Sequence, residues 1–369
     1  MFTFLKHALR PSVIKLANKW SSRPEKARVN NGLSKLYKQI INKPGKRGLI
    51  IPFDEKKHKF IVFSDQHKGA RNNADIFTKS SKTYLSALDH YDKETFTYIN
   101  LGDSEELWGN TFLSVKKHNK ATFESEKKFI KRNAFVKIFG NHDLYWDNDP
   151  LAAVSLMQIY DESIPIYEGV ILQGNINDKL LSIFMTHGHQ GDLQSDGNWF
   201  SKWFVSNIWG PIQAFVAVNP NTPANNQQLK TDHNRLMYEW SSKRKDTILI
   251  TGHTHQPVFR SFTELETIYK KIAAARADNN LEEVNALQNR IRTLNLKSST
   301  APDFSGYLDT YFNTGCCCFD DGDITGIEIA DEHIRLIKWK YSNKTAKRII
   351  LEECKLADLK LQRTNNEIM

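Results

Sequence analysis

Five short stretches of the chain carry side chains of the kinds that ligate metal ions: Asp65-Gln66-His67, Gly102-Asp103-Ser104-Glu105-Glu106, Gly140-Asn141-His142-Asp143, His187-Gly188-His189 and Gly252-His253-Thr254-His255. Carboxylate and amide oxygens with imidazole nitrogens, and no cysteine among them, suit Mn, Fe, Zn or Mg rather than a thiolate-rich structural zinc. The ligand types argue for two ions. Two ions about 3.5–4 Å apart clamp the attacking and leaving oxygens of an in-line displacement at phosphorus. A bridging carboxylate suits such a pair, because one anion partly screens the repulsion between two cations. A single Gly-Asn-His or His-x-His is common in turns and packed cores. Five in order, each behind an apolar run, are not.

The elements that must position these residues are legible in the same places. Apolar runs at 60–63, 96–101, 134–139, 180–185 and 247–250 each lead into one stretch, so each stretch begins where a buried strand ends. Strand ends are where open α/β sheets hold ligands. Between the strands, Phe77, Tyr84, Leu85, Ala87 and Leu88 predict a helix over 76–91 that packs back on the sheet. Residues 232–245 predict another helix, leading into the last ligand strand. Segment 262–298 predicts a helical hairpin, with Leu281, Val284, Leu287, Ile291 and Leu294 at helical spacing. Such a hairpin would project as a lid or an oligomer contact. The chain then returns to sheet through about 340.

Asp-x-His, Gly-Asp-x-x-Glu, Gly-Asn-His-Asp, His-Gly-His and Gly-His-Thr-His, in that order over roughly residues 60–256, resemble the calcineurin-like metallophosphoesterase superfamily. The resemblance implies an α/β fold, a metallo-dependent phosphatase-like β-sandwich of two sheets flanked by helices. It implies a first metal held by Asp65, His67, Asp103 and His255. A second would be held by Asp103, Asn141, His187 and His253, with Asp103 bridging. His142 matches the histidine that assists developing charge or the leaving group, so His142, Asp103 and Asn141 are the expected catalytic residues. Glu106, Asp143 and His189 would orient ligands and loops. In His187-Gly188-His189 either imidazole could be the ligand, and His187 is favoured because it directly follows the strand. The expected cofactors are two divalent ions, Mn first, with Fe, Zn or Mg as alternatives. A metal-bound hydroxide would attack a phosphoester or pyrophosphate in line, on a small nucleotide- or lipid-linked substrate. Lys68 and Arg71, close behind two ligands, would bind a remote anionic group of the substrate.

Gly102 to Gly109 is also similar to the corresponding stretch of bacterial UDP-2,3-diacylglucosamine pyrophosphatases, which use an insertion after the fourth motif for lipid chains. Here that insertion, about 190–245, is rich in Trp and Phe over 198–209, which suits either core packing or an apolar cap. The chain departs from those enzymes at His142, where they commonly carry Arg, and at His189, where they have Asp.

Charge narrows the partners. Residues 1–50 hold twelve Lys or Arg against Glu25 alone, so 51–369 carry a net −2 of the total +9. A nuclease is expected to spread positive charge around its cleft; nucleic acid is therefore disfavoured, and a nuclease or a non-catalytic metal-binding scaffold stands as the alternative. The basic arm, with Phe2, Phe4, Leu9, Val13 and Trp20 among its cations, fits a peripheral helix on an anionic membrane or an arm docked on the domain. No apolar run is long enough to span a bilayer, and neither a secretory signal nor a disulfide framework is evident in Cys316, Cys317, Cys318 and Cys354. The expected compartment is cytoplasmic, with membrane-peripheral contact open. The expected organisation is an N-terminal arm (1–50), a metallophosphoesterase domain (51–345), and a C-terminal helix with a polar tail (346–369).

Overall fold

The apolar runs in front of the candidate ligands form strands. The structure, a computed structural model, describes residues 24–72, 75–191, 227–278, 280–293, 306–343 and 345–362. The aromatic segment 198–209, the basic residues 1–23 and the tail from Arg363 lie outside them.

Two seven-stranded sheets face each other. One contains β2 (Phe60–Phe63), β3 (Thr97–Leu101), β4 (Phe135–Ile138) and β5 (Ile166–Tyr167), all parallel. Its other side is closed by antiparallel β12 (Ile324–Ala330), β13 (His333–Ser342) and β14 (Thr345–Lys355). The second sheet runs β1 (Gly48–Pro52), β6 (Gly169–Ile176), β7 (Lys179–Thr186), β8 (Thr247–Thr251) and β11 (Tyr311–Asn313), ending in the short β9 (Val258–Phe259) and β10 (Phe262–Thr263). Inward-facing Val62, Ile99, Ile138, Ile183, Ile250, Phe312 and Ile327 form the core between the sheets.

Helices cover both outer faces. On the first sheet, α2 (Ser81–Lys93) and α4 (Lys120–Lys131) bury Tyr84, Tyr91 and Phe129 against Phe63 and Tyr98. Beside them lie α3 (Phe112–His118), the single-turn α5 (Tyr145–Asn148) and α6 (Ala152–Tyr160). On the second sheet, α1 (Lys26–Asn42) and α7 (Gln227–Ser241) bury Val29, Leu33, Leu36, Ile40, Met237 and Trp240 against Phe184 and Leu249. The expected hairpin is present as α8 (Glu264–Ala277) and α9 (Leu281–Thr293), with Ile268, Ile272 and Ala275 packed on Val284. No helix among the described residues is long and apolar enough to cross a membrane.

One expectation is corrected and one choice is narrowed. Residues 26–42 dock on the second sheet: α1 packs through four apolar residues, each contributing about 1.5–3 kcal/mol on burial, and β1 runs across the expected boundary at 50. Residues 346–355 are not helical. They pair with β13 from Ser342↔Thr345 to His333↔Lys355. The helix-forming Leu, Glu and Lys of this segment are overridden by a partner strand lying directly before them, since strand preference follows context more than residue type.

Candidate metal centre

Parallel β2, β3 and β4 end at one edge, and β7, β8 and β11 bring the facing sheet to the same edge. The loops after them are tied by backbone bonds: Asp65 N–H donates to Gly102 O (3.0 Å), His67 N–H to Asp103 O (2.9 Å) and Gly252 N–H to His187 O (3.0 Å). Asp65, His67, Asp103, His253 and His255 all have φ between 50° and 67°, the left-handed region that non-glycine residues seldom enter. Such backbone strain concentrates at functional sites held by surrounding structure. Two glycines make the crowding possible. A Cβ on Gly102 (φ 90°) would stand 2.8 Å from the His187 ring, and one on Gly252 would collide with Ser64 and Asp65.

All seven expected ligands converge. Asp65 Oδ1 lies 3.2 Å from His255 Nε2, and His67 Nε2 lies 3.1 Å from the same nitrogen. Asp103 Oδ2 is 3.8 Å from His67 Nε2 and 3.2 Å from His187 Nε2, which places this carboxylate between the two groups. Asn141 Oδ1 is 3.2 Å from His187 Nε2. The Nδ1 of His187 is 3.0 Å from Leu101 O, so Nε2 is the nitrogen turned to Asp103. Among the described residues, three sets of donor atoms lie within 4.8 Å of one another: Asp103, His187 and His253; His67, Asp103 and His142; and His67, His255 and Cys318.

Electrostatics follow from burial and crowding. Burial alone would raise the Asp103 carboxyl, but His187 and His142 hold it well below the usual range. Burial, with His233 and His187 nearby, keeps His253 neutral, its pKa well below the ordinary value. Its Nε2 is buried without a hydrogen-bond partner. An unpaired buried acceptor of this kind costs stability, and a neutral imidazole is the form that ligates metal. Together with two buried carboxylates and an amide oxygen, it fits a divalent ion.

His142 and Glu106 form a separate pair. Burial disfavours the charged His142 ring, yet Glu106 and Asp103 push its pKa up to about 9. Glu106 Oε2 lies 2.7 Å from His142 Nδ1 and 3.0 Å from His67 Nδ1. Burial works against the carboxylate, but His142 and His67 hold it at about 2. Asp143 is buried and accepts from Gly140 N–H (2.5 Å) and Ser104 N–H (2.8 Å). The His189 ring lies 5.5 Å from that of His187 and takes no part in the close sets.

Lys68 is a correction. It is fully buried, with Nζ 2.6 Å from Glu126 Oε1 and 3.2 Å from Glu105 Oε1. An ammonium cannot leave water without such partners, so its place is inside, shared by the two glutamates, rather than on an exposed loop. Arg71 stays exposed on its loop, its guanidinium 5.9 Å from the Phe77 ring.

Three residues at the site escaped sequence reasoning. Trp108 stacks on His142 at 4.1 Å and donates from Nε1 to Asn141 O (2.7 Å). His233, from α7, has its Nε2 2.7 Å from Gly188 O. Cys318 Sγ lies 3.8 Å from His255 Nδ1. Only for Trp108 was there a signal, its position two residues after Glu106 within a motif.

Residues 58–257 match the family model described as calcineurin-like phosphoesterase. Among solved structures, the chain is similar to Vacuolar Protein Sorting 29 from Cryptosporidium parvum, at 10% identity, 81% of this chain and 98% of that one covered, and a TM-score of 0.32. It is also similar to wild-type Vps29 complexed with zinc from Entamoeba histolytica, at 13% identity, 80% and 98% coverage, and a TM-score of 0.29. Comparison with curated proteins returns no match.

Proposed function

The chain belongs to the calcineurin-like phosphoesterase family, and from that premise we propose that it is a dinuclear metal-dependent phosphoesterase acting on a phosphoester or pyrophosphate of a nucleotide- or lipid-linked substrate. The observation that carries this reading is Asp103, whose carboxylate lies between a His67/His255/Asp65 set and a His187/His253/Asn141 set. Asp65, His67, Asp103 and His255 would hold one ion, and Asp103, Asn141, His187 and His253 the other. Mn is the first choice for such oxygen and imidazole donors, with Fe, Zn or Mg as alternatives. Bound divalent ions would supply Lewis-acid neutralisation at phosphorus and acidify a water for in-line attack.

The chain's own groups do the rest. Glu106 holds His142 through Nδ1, which leaves Nε2 to donate toward the leaving oxygen. Glu106 and Asp103 raise the pKa of the ring, which suits it to stabilise developing negative charge and then give up its proton. Trp108 fixes the plane of that ring from behind. Because the nucleophile is water, no Ser, Cys or Thr is needed in that role.

The test is Mn-dependent hydrolysis of a chromogenic phosphomonoester and its bis-ester, with wild type and Asp103→Asn in parallel. Turnover that disappears in Asp103→Asn is the expected result, and the preferred ester directs the search for the substrate. Absence of turnover on both esters, with two metals bound per chain, would sink the reading in favour of a scaffold.

A further inference from the structure

A second charged site stands apart from the metal ligands. The outer side of α1 and the turn into β1 flank an open pocket of about 700 Å³ whose lining contains Lys35, Lys38, Lys43, Lys46 and Arg47. The other four lining residues are three amides and a serine, and none is acidic. Arg47 is neutralised by Asp147 (3.0 Å) and Glu168 (2.5 Å). The four lysines are exposed, and no ion pair to a carboxylate is formed by any of them among the described residues. Four like charges around one concavity repel each other, and the field that they focus attracts an anion.

Sheet register gives the cavity its meaning. Gly48, directly after Arg47, pairs with Gly169, and Gly169 pairs with Thr186, the residue before His187. The Lys46–Arg47 end of the cavity therefore lies on the same sheet edge as the metal ligands, two strands from His187. Two strand spacings make that about 10 Å. Arg47 also ties this end to Asp147 in the single-turn α5, four residues beyond Asp143.

We propose that this lysine-lined cavity is a binding site for a phosphate-bearing anion separate from the reacting phosphoryl group, supplied either by a soluble polyphosphate or by an anionic lipid headgroup. Ammonium groups serve as point charges for phosphate and need no fixed fork geometry. The five further cations at Lys6, Arg10, Lys15, Lys19 and Arg23 continue the same charge along the chain toward its start. The site does not depend on hydrolysis, so it stands or falls separately from the phosphoesterase reading.

The experiment compares the metal-loaded full chain with a quadruple variant, Lys35→Ala, Lys38→Ala, Lys43→Ala and Lys46→Ala. A control variant, Lys56→Ala with Lys57→Ala, removes exposed lysines that are already paired. One arm titrates tripolyphosphate by calorimetry; the other measures co-sedimentation with phosphatidylglycerol/phosphatidylcholine vesicles against pure phosphatidylcholine. Expected is binding of at least one probe by wild type and the control, weakened about tenfold or more in the quadruple variant and by added salt. The arm that responds identifies the source of the phosphate. No binding by wild type in either arm, or equal binding by the quadruple variant, overturns the proposal. Chromogenic ester turnover in the quadruple variant should match wild type. Its absence in every protein would count against the phosphoesterase reading alone.

Discussion

Glu106 Oε2 sits between two imidazoles, 2.7 Å from His142 Nδ1 and 3.0 Å from His67 Nδ1. One carboxylate thus orients both a candidate metal ligand and the candidate proton donor. The two roles separate on mutation. His142→Ala should lower kcat about 10²–10⁴-fold while both metals remain bound. Glu106→Gln should lower kcat and also weaken metal binding, because His67 loses its partner. Metal analysis beside kinetics checks this; full metal content in Glu106→Gln would show that the contact with His67 does not matter.

Lys68 provides a test of burial against substrate contact. Its ammonium is shared by Glu126 and Glu105, and Glu126 also accepts from Tyr84 (2.9 Å) and Tyr160 (2.7 Å). Removing one member of a buried ion pair leaves the other charge uncompensated. Lys68→Met should therefore cost about 3–5 kcal/mol in urea unfolding, and adding Glu126→Gln should recover part of that loss. A rise in KM with stability unchanged would instead return Lys68 to the substrate.

His255 presents Nε2 to Asp65 and Nδ1 to Cys318. A metal-bound imidazole is oriented by the group on its other nitrogen, and loss of that group costs about 10–100-fold in metal affinity. Cys318→Ala is expected to show a loss in this range by competition with a fluorescent chelator, and the distant Cys354→Ala none. Equal affinities in the two variants would reduce the contact to packing.

His233 makes stability depend on pH. Burial, opposed by the Gly188 carbonyl and reinforced by His187, pushes its pKa from 6.5 down to about 4. The unfolded chain therefore takes up a proton near 6.5 that the folded chain refuses until about 4. Stability is full above 6.5 and falls as pH drops through this window. At about 1.4 kcal/mol per unit, the loss is on the order of 3 kcal/mol by pH 4. Urea midpoints at pH 7.5 and 5.0 should fall more steeply in wild type than in His233→Gln; identical slopes would remove His233 as the cause.

The placement of the candidate ligands at strand ends and the strands beneath them were legible in the sequence, because each depends on a local pattern; the two-sheet architecture came from the family resemblance. An apolar run of strand length followed by Asp, His or Asn marks a strand end wherever the strand is placed. The helical hairpin at 264–293 was legible for the same reason, through its 3.6-residue spacing. Tertiary structure alone decided what depends on pairing between distant segments. That His187, already favoured because it directly follows its strand, meets Asp103 depends on β7 being registered on β8 and facing β3 across the core. Cys318 meets His255, 63 residues earlier, only because β11 lies beside β8. Lys68, a loop cation by sequence, is drawn inward by Glu126 from α4, and residues 345–355 become a strand because β13 offers an edge. Side-chain type and spacing state what a residue can do; register and packing decide which partner it does it with.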